Sequence, residues 1–222
     1  MERHLDQELE DLKKQLLKMG TLVEAAIFQS VESLKQLSRQ EADKVIREDK
    51  VIDELENVID EQCLDLLALR QPMATDLRFI TMSMKISTDL ERIADLAVDI
   101  AQRVQDLVGK PLLKPLIDIP KLTKLAQQMT KAALDAFVNK DAELASKVIL
   151  FDNEADKLRN LVQKELVDDY MSKDPSTASR AVPLLLIARH LERICDHATN
   201  IAEDVIYMVK ADVVKHHPEK LK

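Results

Sequence analysis

The sequence is poor in the residues that build turns. Its 222 residues include only 2 glycines and 7 prolines, together about 4% of the chain, whereas about 12% is usual. β-Sandwiches, β-barrels and doubly wound α/β folds need many tight turns that use these residues. Tryptophan is absent and aromatic residues make up 3% of the chain. These shortages exclude folds built on sheets and a core built on large rings.

The sequence also lacks the features of several partner classes. Its formal net charge of −8 disfavours nucleic acid and anionic membrane surfaces as primary partners. The first residues contain no apolar signal sequence, and the longest apolar run, residues 181–188, is too short to cross a bilayer. Cys63 and Cys195 lie far apart without metal-ligand spacing, which is typical of buried, reduced thiols. We therefore expect a cytoplasmic protein with no nucleic-acid partner and no direct membrane insertion.

Motifs of covalent or nucleotide chemistry are absent as well. The sequence contains no P-loop, no glycine-rich phosphate loop, no nucleophile elbow and no zinc cluster. His190 and His197 do not occupy the Glu-x-x-His spacing of a di-iron helix, and are more simply boundary or surface histidines. The sequence therefore predicts a protein that is not an enzyme and that binds no organic cofactor.

What is abundant is the composition of long amphipathic helices, with 46% hydrophobic and 32% charged residues. A capping box at Ser38 and Glu41 starts one helix, Pro72 lies near the first position of the next, and Asp174 caps another. Pro183 falls inside the last span and predicts a kink or a later start there. The fold is predicted as all-α, with six helices over residues 4–37, 41–69, 73–107, 120–138, 142–172 and 176–211.

The chain reads as a tandem duplication. Residues 90–101 align without gaps with residues 191–202, and eight of the twelve positions are identical. Gly109 and three prolines interrupt helical periodicity between the two copies. We therefore predict two sequence-related three-helix bundles. The predicted parts are a first repeat at residues 1–108, a linker at 109–120, and a second repeat with a polar tail at 121–222.

Acidic residues recur at helical spacing on the second and third helix of each half. Counted from the turn near residue 71, Asp53 and Glu91 lie about 18 and 20 residues away on opposite arms, a difference in level of roughly 3 Å. The second half repeats this match at Asp156 and Glu192. The candidate ligands are Asp49, Asp53, Glu91, Asp95 and Asp99 in the first half, and Asp152, Asp156, Glu192, Asp196, Asn200 and Glu203 in the second.

Clustered carboxylates have two interpretations. Like charges held close together repel, and oxygen-rich clusters suit cations such as Mg²⁺, Mn²⁺, Ca²⁺ or iron. This interpretation predicts a metal site in each half, and it leaves open a carboxylate-bridged metalloenzyme or metal store. The alternative is an acidic protein that solvates its carboxylates on helix edges, with Lys50, Arg92 and Arg193 as ion-pair partners. A helical scaffold without a metal follows from that alternative.

Three segments carry distinctive motifs: residues 70–78, Arg-Gln-Pro-Met-Ala-Thr-Asp-Leu-Arg; residues 85–95, which end in Asp-Leu-Glu-Arg-Ile-Ala-Asp; and residues 188–203, which contain Leu-Glu-Arg-Ile-Cys-Asp. Together they resemble the signature of the PhoU family of phosphate-transport accessory regulators. The resemblance covers nearly the whole chain. It implies a cytoplasmic, two-bundle negative regulator of the phosphate-starvation response that restrains phosphate uptake. As expected partners it implies the phosphate ABC transporter, through its ATPase subunit, and the phosphate-sensing histidine kinase.

The resemblance also implies multinuclear iron or other metal clusters at the paired acidic motifs, and we expect a homodimer. The chain departs from the family pattern at Ala94 and Cys195, where glycine is frequent beside the motif aspartate. The downstream Asn-x-x-Glu survives at Asn200 and is replaced by Asp99 and Gln102 in the first half. We therefore expect the first metal site to differ in occupancy from the second or to be empty.

Overall fold

The computed structural model describes residues 2–212, and every regular element in that range is helical. The polar tail predicted at the end of the chain lies outside the described residues. Six α-helices follow one another, which confirms the predicted all-α fold. They are α1 (Glu2–Gln36), α2 (Arg39–Arg70), α3 (Thr75–Gln105), α4 (Asp118–Asn139), α5 (Ala142–Glu165) and α6 (Ala178–Lys210).

Side-chain caps begin two of these helices. The hydroxyl of Ser38 accepts a hydrogen bond from the backbone N–H of Glu41 at 3.3 Å and begins α2. The carboxylate of Asp141 accepts from the N–H groups of Glu143 and Leu144, both at 2.9 Å, and begins α5. Each bond satisfies a donor that the first helical turn leaves without a partner. The predicted cap at Asp174 begins a short 3₁₀ turn, Pro175–Thr177, directly before α6.

The turn between α2 and α3 is longer than the sequence predicts. Gln71 adopts a left-handed conformation with φ 49°, and Ala74 lies at φ 45° and ψ −101°. Pro72 therefore lies in the turn, and α3 begins at Thr75 instead of residue 73. Positive φ is uncommon outside glycine, so the residue types at positions 71 and 74 do not predict this turn.

Two boundaries in the second half also differ from the prediction. The α-helical part of α5 ends at Glu165, and Leu166–Met171 form a π-helical turn that hydrophobic periodicity does not distinguish from α-helix. Helix α4 begins at Asp118, so residues 118–120 of the predicted linker belong to its first turn. Lys114 of the linker is buried and forms an ion pair with Glu165, which fastens the linker to the end of α5.

Pro183 lies in the second turn of α6, which begins at Ala178, two residues later than predicted. Because proline has no N–H, the carbonyl of Ser179 lacks its helical partner. The Nζ of Lys110 in the linker donates to that carbonyl at 3.4 Å. A linker lysine thus supplies the hydrogen bond that Pro183 removes.

The two halves share one hydrophobic core. Helices α3 and α6 pack antiparallel, because Arg78 donates to the carbonyl of Met208 at one end while Asp99 faces His190 farther along. At Gly20 in α1, a Cβ would stand 2.3 Å from Leu134 Cδ1 in α4. The absence of a side chain at Gly20 therefore makes room for the side chain of Leu134 where α1 meets α4.

None of the helices within residues 2–212 combines the length and the apolar character needed to span a membrane. Cys63 and Cys195 are buried and unbridged. This agrees with the sequence-based expectation for both thiols.

Candidate functional site

The first carboxylate cluster lies between α2 and α3. Asp49 and Asp53 lie one turn apart on α2, and Glu91 and Asp95 lie one turn apart on α3. Burial, and then the charges of Asp53 and Asp95, raise the pKa of Asp49 to about 6. The structure therefore brings together the four carboxylates that matched in level along the sequence.

Glu91 carries the largest perturbation in this cluster. Burial raises its pKa to about 7, and the charges of Asp95, Glu56 and Asp53 add to the rise, while the Arg92 guanidinium opposes it. The Oε2 of Glu91 is buried and accepts no hydrogen bond, although Arg92 Nε lies 3.3 Å away. Arg92 donates to Asp95 at 2.8 Å and to the other oxygen of Glu91, Oε1, at 3.4 Å. One guanidinium is thus shared between two carboxylates, and it leaves one oxygen of Glu91 without a donor.

The second cluster lies between α5 and α6. It contains Asp152 and Asp156 on α5 and Glu192 and Asp196 on α6. Burial, and then the charges of Glu192, Asp152 and Asp156, raise the pKa of Asp196 to about 6. Burial and the charges of Asp156 and Glu192 also raise the pKa of Asp152. The duplication therefore builds the same carboxylate arrangement twice.

An arginine that the sequence analysis did not single out distinguishes the second cluster. Arg159 on α5 contacts Asp156 at 3.4 Å and reaches across to Glu192 on α6 at 3.2 Å. In the repeat, the position of Arg159 corresponds to Glu56, because Asp53 and Asp156 are equivalent. The sequence does contain a sign of this difference, because the charge at this aligned position is negative in the first repeat and positive in the second.

The residues farther along the acidic stripes do not join the clusters as predicted. Asp99 lies at the α3–α6 interface, where its Oδ2 is 3.7 Å from His190 Nδ1. Asn200 lies at the same interface and donates to Asp89 at 3.4 Å. Glu203 follows on α6 and is half-buried. The side chains of Asp99 and Asn200 contact the opposite half because α3 and α6 pack against each other there.

That interface carries further polar pairs. His197 Nδ1 lies 2.7 Å from Asp89 Oδ1, and Lys85 forms an ion pair with Asp204 at 2.9 Å. Both histidines therefore lie at the boundary between helices, as the sequence suggested. Among the proposed ion-pair partners, Arg92 contacts its own cluster, while Lys50 lies 3.9 Å from Glu54.

The clusters contain the oxygen ligands that a cation prefers, but they do not hold them in the arrangement of a finished metal site. Carboxylate oxygens suit hard and borderline cations, and the repulsion among them is relieved by positive charge. Within residues 2–212, no three His, Cys, Asp or Glu side chains lie close enough together to hold a metal ion as they are placed. Binding at either cluster would have to draw these side chains together.

Comparison with known proteins places this architecture in a family. The family model described as the PhoU domain matches the chain twice, over residues 16–104 and 119–205. The chain belongs to the PhoU family. The PhoU matches reproduce the duplication seen in the sequence.

Individual PhoU proteins align over nearly the whole chain. The phosphate-specific transport system accessory protein PhoU homolog of Aquifex aeolicus is 40% identical over 218 residues, which are 98% of each chain. The crystal structure of PhoU from Pseudomonas aeruginosa superposes with a TM-score of 0.89 and 39% identity, covering 93% of this chain and 99% of that one.

A second solved structure extends the comparison. The phosphate transport system regulatory protein PhoU from Streptococcus pneumoniae superposes with a TM-score of 0.88 and 29% identity, covering 95% of this chain and 99% of that one. The names of these relatives describe accessory and regulatory proteins instead of enzymes, in agreement with the prediction from sequence.

Proposed function

We propose that this protein is a negative regulator of the phosphate-starvation response and of high-affinity phosphate uptake. It acts in the cytoplasm as a non-enzymatic adaptor between the ATPase subunit of the phosphate ABC transporter and the phosphate-sensing histidine kinase. The observation that carries the proposal is the end-to-end match to an accessory protein of phosphate transport, 40% identical over 98% of both chains. The match to a protein described as a regulator of phosphate transport supports the regulatory part.

Deletion of the gene tests the regulatory role. In phosphate-rich medium, the deletion strain should express phosphate-starvation genes and take up phosphate faster than its parent, and the wild-type gene should restore both. Unchanged expression and uptake in the deletion strain would contradict the proposal. Co-purification of the transporter ATPase and of the kinase with the tagged full chain tests the adaptor role.

The first carboxylate cluster is proposed to bind a divalent cation or iron through Asp49, Asp53, Glu91 and Asp95. Two features support this. Burial, and then the negative charges of the neighbouring carboxylates, raise the pKa of Glu91 to about 7, and Glu91 Oε2 is buried without a hydrogen-bond donor. A cation would relieve both costs. Although the Asn-x-x-Glu pattern survives only in the second half, its Asn200 contacts Asp89 of α3. Arg159 already neutralises part of the negative charge of the second cluster, so cation binding there should be weaker than at the first.

Mn²⁺ titration of chelator-treated full-length protein tests this site by electron paramagnetic resonance. The Asp49→Asn/Glu91→Gln variant should lose the tighter site. The matched control is Asp152→Asn/Glu192→Gln, which removes the equivalent pair from the second half and should retain it. Equal losses of Mn²⁺ binding in the two variants would show that the first cluster is not the preferred site. Unaltered Mn²⁺ binding in both variants would show that neither cluster binds the cation.

A homodimer is proposed on a different observation. The outer face of α5 exposes the apolar side chains of Leu150, Phe151 and Leu161, which are 66%, 49% and 55% exposed. Exposed apolar patches of this kind mark contact surfaces. Sedimentation equilibrium should give twice the mass of the chain, and Leu161→Glu should shift the protein to the monomer. A monomeric wild-type protein at all concentrations would refute the dimer.

A further inference from the structure

A cavity of about 620 Å³ opens beside the second carboxylate cluster and is lined by three arginines. Arg159 enters it from α5, and Arg189 and Arg193 enter from α6. Glu192 and Asp196 lie on the same wall. Arginine carries several N–H donors in a fixed, planar arrangement that suits tetrahedral oxyanions.

Two of the three arginines are available to a ligand. Arg159 is held in place by its contacts with Asp156 and Glu192. Arg189 and Arg193 are exposed, and neither has a carboxylate within 4 Å among residues 2–212. The side chain of Gln163 also lines the cavity and adds an uncharged donor and acceptor. The lining therefore combines unused donors with two carboxylate acceptors, of which Glu192 is held by Arg159.

The first half does not repeat this arrangement. The aligned positions of Arg159 and Arg189 are Glu56 and Thr88, and only Arg193 has an arginine counterpart, Arg92. Three arginines thus correspond to one arginine, one neutral residue and one glutamate. The charge of these positions changes by three units between two halves that otherwise carry the same acidic motif, so the second half alone is suited to an anion.

We propose that this cavity binds inorganic phosphate in its protonated form, with Arg189 and Arg193 donating to its oxygens. Arg159 adds positive charge and keeps Glu192 turned toward α5. An ionised carboxylate can only accept hydrogen bonds, so Glu192 or Asp196 accepts a hydrogen bond from the P–O–H group that phosphate retains at neutral pH. Sulfate carries no such proton, and one of its oxygens would face a carboxylate without a hydrogen atom between them. The cavity therefore selects phosphate over sulfate.

This inference concerns different side chains from the cation site of the first half. The phosphate contacts are made by arginines of α6, and they require no metal. The experiment is therefore run with chelator present, in purified full-length protein. A failure of phosphate binding would leave the regulatory role and the cation site untouched, and each can fail without the other.

Isothermal titration with phosphate and with sulfate tests the proposal. Phosphate should bind once per chain, and sulfate should bind at least about tenfold more weakly. The Arg189→Gln/Arg193→Gln variant should weaken phosphate binding by about a hundredfold, since each lost bond to a charged group costs roughly tenfold or more. The matched control is Arg92→Gln, the first-half equivalent of Arg193, and it should bind phosphate like the wild type.

Three results would overturn the proposal. They are the absence of phosphate binding in the wild type, equal affinity for sulfate, and a loss in Arg92→Gln as large as in the double variant. Circular dichroism of each variant, with a melting temperature close to that of the wild type, shows that a lost isotherm does not reflect a lost fold. Both arginines are exposed, so their replacement should leave the fold intact.

Discussion

Replacement of Glu91 by glutamine should stabilise the metal-free protein at alkaline pH. Glu91 is held among Asp53, Glu56 and Asp95, and these charges act with burial to raise its pKa from 4.5 to about 7. Glutamine keeps the shape of the side chain and removes the charge. The variant therefore tests whether the cluster stores repulsion that a cation would relieve.

The sign follows from the proton balance. Between pH 4.5 and pH 7 the folded protein holds a proton on Glu91 that the unfolded chain has released, so the free energy of unfolding falls as pH rises through this window. The full shift corresponds to about 3 kcal/mol. The side chain is 14% exposed, and salt and water screen its neighbours, so we expect about 1–2 kcal/mol. This corresponds to an increase of about 5 °C in melting temperature.

Urea unfolding followed by circular dichroism, with chelator present, measures the effect. Glu91→Gln should exceed the wild type at pH 8 and equal it at pH 4, where Glu91 is protonated in both states. Glu192→Gln is the matched control, because the position that holds Glu56 in the first half holds Arg159 in the second, 3.2 Å from Glu192, so the loss of that charge should bring no stabilisation. A Glu91→Gln variant no more stable than the wild type at pH 8, or a gain that does not depend on pH, would refute the reasoning.

Three further predictions concern the scaffold. Gly20→Val should lower the free energy of unfolding by about 2 kcal/mol in urea titrations, because its Cβ would meet Leu134 Cδ1 at 2.3 Å. Cys63 and Cys195 should resist a thiol reagent at pH 8 and both react in urea, since burial raises the pKa of each thiol; rapid native reaction would contradict this. Lys114→Ala should lower the free energy of unfolding by about 2 kcal/mol, because it removes a lysine that is 4% exposed and leaves Glu165 without its ion-pair partner; an unchanged melting temperature would show that the linker contact is dispensable.

Local signals in the sequence determine much of this fold. The scarcity of glycine and proline and the helical spacing of apolar residues predict six helices, and the caps at Ser38 and Asp174 lie where the sequence places them. The carboxylates of α2 and α3 meet because, in an antiparallel hairpin of two helices, the number of residues between the turn and a side chain determines its height along the pair. Both predictions depend only on geometry within one helix or one hairpin.

Features that depend on packing between the two halves could not be predicted from such local signals in the sequence. Asp99 and Asn200 continue the acidic stripes by spacing, yet they face α6 and α3 across an interface whose existence no single hairpin implies. In the turn between α2 and α3, Gln71 and Ala74 adopt positive φ although neither is glycine, so the residue types did not predict the length of the turn. To predict the contact of Arg159 with Glu192, one needs both the alignment of the two repeats and the orientation of α5 relative to α6.

The charge at one aligned position distinguishes the two halves. Arg159 lies within 3.2 Å of Glu192, and a divalent cation at the same carboxylate would have to displace it or bear its repulsion. At the equivalent position of the first half, Glu56 adds to the negative charge around Glu91, which attracts a cation and repels an anion. The same backbone therefore presents one acidic motif in two electrostatic settings, which favour ligands of opposite sign. Helices α3 and α6, which carry Glu91 and Glu192, pack directly together, so the two settings are connected through one helix pair.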